Sequence, residues 1–529
     1  MKIKSAGSIA IASLFTSLLT AIAVSSPVAL AQTKTIKMAP TGDLKTLDAH
    51  FNTAYITRNH GYMVFDTLFA QNSKGEIKPQ MVDKWSSTKD GLKWTFTLRK
   101  GLAFSDGAPV TAADAVASIE RWGKKDNLGR AMFAAGAQLK ADSAETFSLT
   151  LKEPFGLVLD ALSKPSGNPL FIYPQRLAKT DINTAVTEMV GSGPFLFVKE
   201  EWVPGNKVVY VKNPKYVPRS EPADGLAGGK VVKVDRVEWL YIPDGNTAAA
   251  ALKNGEIDMI ESVTPDFVPS LAADKAVQLN TSSPAQGMMV INTLHPPFNN
   301  AKARQALYHM VDQETYTAAL GYPDQYRMKY CGSMYTCKTP AEITTGSERF
   351  RKADLNKAKQ LLKESGYKGE KVVVLYATDQ VLAPASQVTI SLLKKIGVNV
   401  DVQTMDWASV AARRLKKDAP DKGGWHIFHT YGTYFDAATP ITNPWLAASC
   451  GNSLPGWPCD EQLDKLRAEW IKEGDAAKRK ELAGKIQVRA YETVPYVMWG
   501  QYYPIHATRG LKNHEPMKIG IPVMWNVEK

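Results

Sequence analysis

The 529-residue sequence has few of the residues from which enzymes build active sites. It contains eight His and four Cys, no phosphate-binding P-loop, no dinucleotide fingerprint and no Gly-x-Ser-x-Gly turn for a nucleophilic serine. His426 and His429 are three residues apart in a predicted strand, so they point to opposite faces and are not expected to share a metal ion. We therefore expect neither enzymatic activity nor a cofactor or metal centre.

Long apolar runs are also missing beyond the N-terminal segment, where none approaches the roughly 20 residues of a membrane-crossing helix. At the N-terminus, Lys2 and Lys4 precede an apolar stretch over residues 9–24, and Ala29–Ala31 provides a small-residue cleavage site. We expect residues 1–31 to be a signal peptide that is cleaved on export. No Cys lies near the cleavage site, so the mature protein should carry no lipid anchor.

The four cysteines form two close pairs in the sequence, Cys331 with Cys337 and Cys450 with Cys459. An exported chain meets an oxidising environment, so two local disulfides are expected. The spacings differ from the Cys-x-x-Cys pairs of zinc sites.

The formal net charge of +12 is compatible with nucleic-acid or membrane binding. However, most Lys and Arg alternate with acids along the chain. The dense cluster at Arg413–Lys417 is short, is followed by Asp418 and contains no aromatic residue. Such clusters are typical of a solvated surface, so we expect no nucleic-acid partner and no membrane insertion.

Hydrophobic patterns predict an α/β fold with substantial antiparallel structure. Residues 92–99 and 145–152 alternate apolar and polar side chains, which is typical of half-buried strands. Between them, Thr111 and Asp114 have the spacing of a capping box at the start of a helix.

A strand–helix–strand unit is predicted in the second half of the chain. Strand 371–377 is followed by helix 383–396 and strand 399–405, an order that implies parallel strands with ligands at their C-terminal ends. Two amphipathic helices over 460–473 and 475–492 precede a final predicted strand.

Aromatic and small polar residues follow several of these strands. The segment from Tyr431 to Asp436 follows the strand that begins at Trp425, Trp407 follows strand 399–405, and Asp379 follows strand 371–377. A concave site with aromatic walls and a few polar groups is suited to capturing a small ligand.

A series of short motifs resembles the bacterial extracellular solute-binding proteins of family 5. The motifs are TLDAH at 46–50, FDTL at 65–68, LRKGLAFSDG at 98–107, VTAADAV at 110–116, GSGPF at 191–195, NGEID at 254–258 and LLKESGY at 361–367. Each is weak alone, but they occur in the family order across nearly the whole predicted mature chain.

The resemblance implies the periplasmic substrate-binding component of an ABC importer, with the two-lobed, three-domain type II periplasmic-binding-protein fold. The first lobe would comprise residues 33–75, 192–290 and 506–529, with an inserted domain at 76–191 and a second lobe at 291–505. Hinge closure would trap the ligand between the lobes. The partners expected from the resemblance are a pair of membrane permeases with two ATPase subunits, and the binding protein itself is expected to be a monomer.

The resemblance also implies a peptide cargo, but the sequence departs from the family at that point. Peptide binders have an Asp that pairs with the peptide's N-terminal ammonium where this chain has Thr433, and dipeptide binders have an Arg in the loop where this chain has Asp379. A neutral hydroxyl does not replace a carboxylate opposite a buried ammonium. The cargo therefore stays open between a peptide or similar amphipathic solute and an opine, haem, chelated nickel or sugar; a ligand sensor without transport is the other alternative.

We expect aromatic rings to cover apolar parts of the ligand, and Asp379 or Asp436 to orient a donor or a cation. The candidate ligand-binding residues are Tyr55, Asp379, Trp407, Tyr431, Thr433, Tyr434 and Asp436.

Overall fold

The computed structural model describes residues 33–339, 341–473, 475–514 and 520–529. The predicted signal peptide lies outside these residues. Internal contacts place Lys34–Lys529 in one unit.

The strands have the short lengths that the alternating patterns predict. In chain order they are β1 (Thr35–Ala39), β2 (Phe69–Gln71), β3 (Ile77–Pro79), β4 (Val82–Ser87), β5 (Lys93–Leu98), β6 (Gln138–Ala141), β7 (Thr146–Thr150), β8 (Phe195–Phe197), β9 (Lys207–Lys212), β10 (Arg236–Leu240), β11 (Met259–Ile260), β12 (Val277–Thr281), β13 (Ala285–Ile291), β14 (Lys371–Ala377), β15 (Asn399–Met405), β16 (Ile427–Thr433), β17 (Tyr496–Tyr502) and β18 (Ile505–Arg509).

The helices are mostly amphipathic and lie between these strands. They are α1 (Tyr55–Val64), α2 (Ala112–Gly123), α3 (Asn127–Ala134), α4 (Val158–Leu162), α5 (Gln175–Ala178), α6 (Gly245–Asn254), α7 (Val268–Ala272), α8 (Ala301–His309), α9 (Gln313–Ala319), α10 (Leu355–Glu364), α11 (Ala383–Lys395), α12 (Trp407–Arg413), α13 (Glu461–Lys472) and α14 (Ala476–Thr493). Short 3₁₀ turns lie at Lys199–Glu201, Pro265–Phe267, Asp324–Tyr326, Glu348–Phe350, Pro420–Lys422, Pro444–Leu446 and Cys450–Asn452.

The largest sheet in the described part of the chain has seven strands in the order β12-β18-β11-β1-β10-β9-β8. Strand β1 is parallel to both β10 and β11, whereas the remaining pairs are antiparallel. The sheet combines segments from the first half of the chain with β18 near its C-terminus.

A second, four-stranded antiparallel sheet has the order β4-β5-β7-β6 among the described residues. It contains both predicted alternating strands, β5 and β7. Helix α2 begins as predicted, because Thr111 and Asp114 form a reciprocal capping box at its N-terminus.

The third sheet has the order β15-β14-β16-β13-β17 over the described residues. Strand β14 is parallel to β15, and α11 connects them, so the predicted strand–helix–strand unit is confirmed. In the centre, β13 is antiparallel to β16 and β17, and all of its residues are buried. This register places Gly287 beside Tyr431 and Ala285 beside Thr433.

The strand pairings shift one predicted domain boundary. The second lobe was expected to begin at residue 291, but β13 already pairs along its whole length with β16 and β17. Because a strand cannot be divided between two sheets when every residue pairs in one, we propose that this lobe begins near residue 285. The division into lobes otherwise stays a prediction.

Both predicted disulfides, Cys331–Cys337 and Cys450–Cys459, are formed. No helix within the described ranges is long and apolar enough to cross a membrane.

Candidate functional site

Four of the sequence-predicted site residues meet where α1 contacts the end of β16. Tyr55 opens α1, Tyr431 and Thr433 end β16, and Asp436 lies in the turn that follows. The Tyr55 hydroxyl donates a hydrogen bond of 2.5 Å to Asp436 Oδ2, and the Tyr55 and Tyr431 ring centroids are 5.3 Å apart. The structure thus brings together residues almost 400 positions apart in the sequence.

The Asp436 carboxylate is 4% exposed and is held by neutral donors. Besides the Tyr55 hydroxyl, its Oδ2 accepts from Thr433 Oγ1 at 2.7 Å, from the Thr433 backbone N–H at 3.1 Å and from Ser166 Oγ at 3.3 Å. Burial and the Asp436 charge raise the pKa of Tyr55 well above its ordinary value. The phenol therefore stays protonated and able to donate at physiological pH.

A cavity that is partly open to solvent lies beside this contact. Its walls include Tyr55, Arg58, Glu261, Ser283, Tyr431 and Tyr502. The tyrosine rings form a connected aromatic surface, because the Tyr431 and Tyr502 centroids are 6.5 Å apart. Among the described residues, neither of these two phenol oxygens donates a hydrogen bond to another side chain or carbonyl. The cavity therefore offers apolar faces together with free polar groups, as ligand sites do.

Arg58 lies on the same side of α1 as Tyr55, and its guanidinium carbon is 4.5 Å from the centroid of the Tyr55 ring. Arg58 is only 2% exposed. Its Nε and Nη2 donate to Asn59 Oδ1 at 3.1 and 2.9 Å, Nη1 donates to Ser166 Oγ at 2.8 Å, and Nη2 donates to the Gly520 carbonyl at 2.8 Å. The guanidinium is fixed by these bonds at the cavity wall.

Glu261 follows the two-residue strand β11 on another wall and is 5% exposed. Its Oε2 accepts from the Thr41 backbone N–H at 2.8 Å and from Thr41 Oγ1 at 3.2 Å, and its Oε1 accepts from Asn59 Nδ2 at 2.7 Å. Burial raises the pKa of Glu261, while the Thr41 hydrogen bonds and the Arg58 charge oppose that rise.

Asp436 and the other three predicted residues are not among the residues that line the cavity. The backbone N–H of Trp407 donates to Asp379 Oδ1 at 2.8 Å, so these two residues contact each other. Tyr434 is half-buried and packs against Phe435 at a centroid distance of 5.0 Å. A ligand role for Asp379, Trp407 and Tyr434 stays a prediction, although Val381 from the same loop as Asp379 does line the cavity.

The sequence interpretation missed most residues of the wall, among them Arg58, Glu261, Ser283 and Tyr502. Tyr502 ends β17 and Glu261 follows β11. Both could therefore have been found by the criterion that selected Tyr431, a polar or aromatic residue near the end of a strand. Arg58 lies one helical turn after Tyr55 and could have been found from that spacing. Ser283 lies in the short link between β12 and β13 and has no sequence signal.

His426 is bound by backbone groups within the described part of the chain. His426 accepts from the Val373 backbone N–H through Nδ1 at 2.9 Å, and its Nε2 lies 2.9 Å from the Pro296 carbonyl. No group of three described His, Cys, Asp or Glu side chains has the arrangement of a metal site.

Comparison with known proteins shows the family to which the chain belongs. The family model described as "Bacterial extracellular solute-binding proteins, family 5 Middle" matches residues 76–454. The chain belongs to family 5 of the bacterial extracellular solute-binding proteins. The resemblance inferred from the motifs is thereby confirmed, and the proteins of this family bind substrates rather than transform them.

Relatives of this family 5 protein are similar over nearly their whole length. The probable peptide ABC transporter periplasmic-binding protein y4tO of Sinorhizobium fredii is 38% identical over 509 residues, covering 95% of this chain and 94% of the relative. The glutathione-binding protein GsiB of Salmonella choleraesuis is 25% identical over 482 residues, covering 88% of each chain.

Solved structures show the same fold at lower identity. The binding protein AgaA of A. tumefaciens, in complex with agropinic acid, has a TM-score of 0.78 at 22% identity and covers 93% of the family 5 chain and 98% of its own. DppA of Helicobacter pylori, in complex with a peptide, has a TM-score of 0.78 at 21% identity with the same coverage. The predicted α/β class and the type II periplasmic-binding-protein fold are confirmed.

Proposed function

We propose that this family 5 protein captures a peptide or a similar small amphipathic solute in the cavity between α1 and β16 and delivers it to the permease of an ABC importer. The observation that carries the proposal is the cavity itself, where tyrosine rings from α1, β16 and β17 surround buried polar groups. The names of the relatives, a probable peptide transporter component and a glutathione-binding protein, support a small solute of peptide character.

The Tyr55–Asp436 contact supports closure around the ligand. Tyr55 belongs to the predicted first lobe and Asp436 to the second, so their hydrogen bond connects the two. Ligand binding that adds contacts on both sides would shift the protein toward the closed form. The permease would then recognise that form.

The cellular setting follows from the family. We propose a periplasmic protein, exported by a cleaved signal peptide, without a lipid anchor and monomeric, that works with a pair of permeases and two ATPase subunits. Mass spectrometry of the protein recovered from the periplasm tests this setting, because cleavage after Ala31 leaves Gln32 as the first residue.

A non-peptide solute is the second candidate cargo. The hydrogen bonds around Thr433 are the reason to retain this candidate beside a peptide. Thr433 stands where peptide binders of the family have an Asp, and its hydroxyl donates to Asp436. Oδ2 of Asp436 already accepts four hydrogen bonds. An ammonium group would therefore have to displace neutral donors to reach that oxygen.

A thermal-shift screen of peptides, opines, sugars and haem tests solute capture. A solute at 100 times its dissociation constant should stabilise the protein by about 2.7 kcal/mol. Tyr431→Ala and Tyr502→Ala should weaken its binding by tenfold or more, since each removes a ring from the cavity wall. Trp85→Ala is the matched control, because Trp85 is 39% exposed and lies outside the cavity wall. Equal binding by all four proteins would refute capture in this cavity.

A further inference from the structure

Arg58 is a buried cation without a partner of opposite charge. Its hydrogen-bond acceptors are a side-chain amide, a hydroxyl and a backbone carbonyl, all of them neutral. Within the described residues, no carboxylate oxygen lies within the 4.0 Å of an ion pair from its guanidinium. The other fully buried large arginine in the described chain, Arg121, does pair with a carboxylate, that of Asp48 at 2.6 Å.

The two nearby acids are kept from Arg58 by intervening neutral side chains. Asn59 receives hydrogen bonds from Arg58 and donates to Glu261, and Ser166 receives one from Arg58 and donates to Asp436. Both carboxylates therefore influence Arg58 only at a distance. A direct partner for the guanidinium would have to enter from the cavity.

A second unpartnered group lies beside Arg58. Ser283 is 6% exposed and lines the cavity, and its Oγ has no hydrogen-bond partner among the described residues. A Cβ placed on Gly520 would lie 3.1 Å from this Oγ, and the Gly520 carbonyl accepts from Arg58. Gly520 therefore separates two donors, one charged and one neutral, that border the same cavity.

An uncompensated buried charge and an unpaired buried hydroxyl both cost folding free energy. Such groups persist at sites where a ligand completes them. The ligand group that satisfies a guanidinium and a hydroxyl together is an oxyanion, which accepts from both.

We propose that Arg58 and Ser283 hold a carboxylate group of the captured solute. The cargo class is then organic acids, including peptides with a free C-terminus, and excludes solutes without a carboxylate, such as uncharged sugars. This inference rests on the proposed role of the cavity in solute capture. It assigns the carboxylate to α1 and the β12–β13 link rather than to the loop at Asp379.

Matched compounds that differ in one charge test the assignment. The probes are alanyl-phenylalanine, its C-terminal amide, its N-acetyl form, gluconate and glucose, measured by thermal shift and calorimetry at constant ionic strength. We expect the compounds with a carboxylate to bind at least tenfold more tightly than the amide and glucose, and acetylation of the amine to have little effect.

Variants separate a binding role of Arg58 from a structural one. Arg58→Met should lose the preference for carboxylates, with roughly 10- to 100-fold weaker binding of acids. The control is Arg176→Met, which should leave binding unchanged because Arg176 is exposed and pairs with Glu188. If Arg58→Met fails to fold, Ser283→Ala still tests the proposal. The Ser283 hydroxyl has no hydrogen-bond partner among the described residues, so its removal breaks no hydrogen bond of the folded protein. Ser283→Ala should weaken acids several-fold and leave neutral compounds unaffected.

The outcomes distinguish this inference from solute capture in general. Equal binding of acids and amides, or acid binding that survives both variants, would overturn the carboxylate assignment and leave capture intact. Binding of none of the five probes, together with no shift in the wider solute screen, would overturn both.

Discussion

Replacing Tyr55 with Phe removes one hydroxyl from the contact between α1 and β16 and leaves the ring in place. The hydroxyl donates to Asp436 Oδ2 at 2.5 Å, and a hydrogen bond to a charged group contributes about 1.5–3 kcal/mol. The Thr433 N–H, which also lies 3.2 Å from the Tyr55 oxygen, keeps Asp436 Oδ2 as an acceptor. We therefore expect Tyr55→Phe to lower the free energy of unfolding of the ligand-free protein by about 2 kcal/mol.

A double-mutant cycle isolates this hydrogen bond from other effects. Tyr55→Phe, Asp436→Asn and the double variant are compared by urea unfolding monitored by tryptophan fluorescence, and the coupling energy should be at least about 1.5 kcal/mol. Tyr434→Phe is the control, since the Tyr434 ring lies outside the cavity wall, and it should change stability by less than about 0.5 kcal/mol. A coupling energy near zero would refute the reasoning, because it would mean that α1 and the turn after β16 do not touch in the absence of ligand.

Three further variants or conditions test separate parts of the structure. Burial lowers the pKa of His60, His429 and His506 from 6.5 to about 3, so their unfolded forms take up protons first as the pH falls below 6.5. Each of these three histidines should therefore contribute about 1.4 kcal/mol of stability that is present at pH 7.5 and lost by pH 5.5. Burial also lowers the pKa of His50, His426 and His514 to about 4, so these residues add to the decline, and a flat profile would contradict this burial. Glu261→Gln should bind organic acids more tightly than the wild type in calorimetry, since it removes a negative charge from the cavity wall, and weaker binding would contradict the charge assignment. Gly287→Ala should destabilise the fold by about 3 kcal/mol in urea unfolding, because its Cβ would overlap a buried indole ring, and unchanged stability would show that the ring can move.

Local patterns in the sequence were enough to predict several elements of the fold. Strands β14 and β15 have the predicted bounds, since a glycine, Gly369 or Gly397, lies two residues before the apolar segment in each case. The boundary before β13 is hard to predict because every residue of that strand is buried. A fully buried strand has no alternation from which to tell the sheet to which it belongs.

The candidate site was only partly predictable, because it depends on side-chain direction and on distant segments. Thr433 and Tyr431 share one face of β16, and both line the cavity. Tyr434 is the next residue along the chain and lies outside it. The rule that selects residues after strands cannot distinguish such neighbours. Arg58 and Ser283 border the same cavity although they are more than 200 residues apart in the sequence, which no local pattern shows.

A crystal structure with an organic acid selected by the thermal-shift screen is the most direct test of solute capture in this cavity. We predict one solute molecule beside Tyr431 and Tyr502, with its carboxylate within hydrogen-bond distance of Arg58 and Ser283. A solute bound elsewhere, for example against Trp407, or one whose carboxylate faces away from Arg58, would contradict the account.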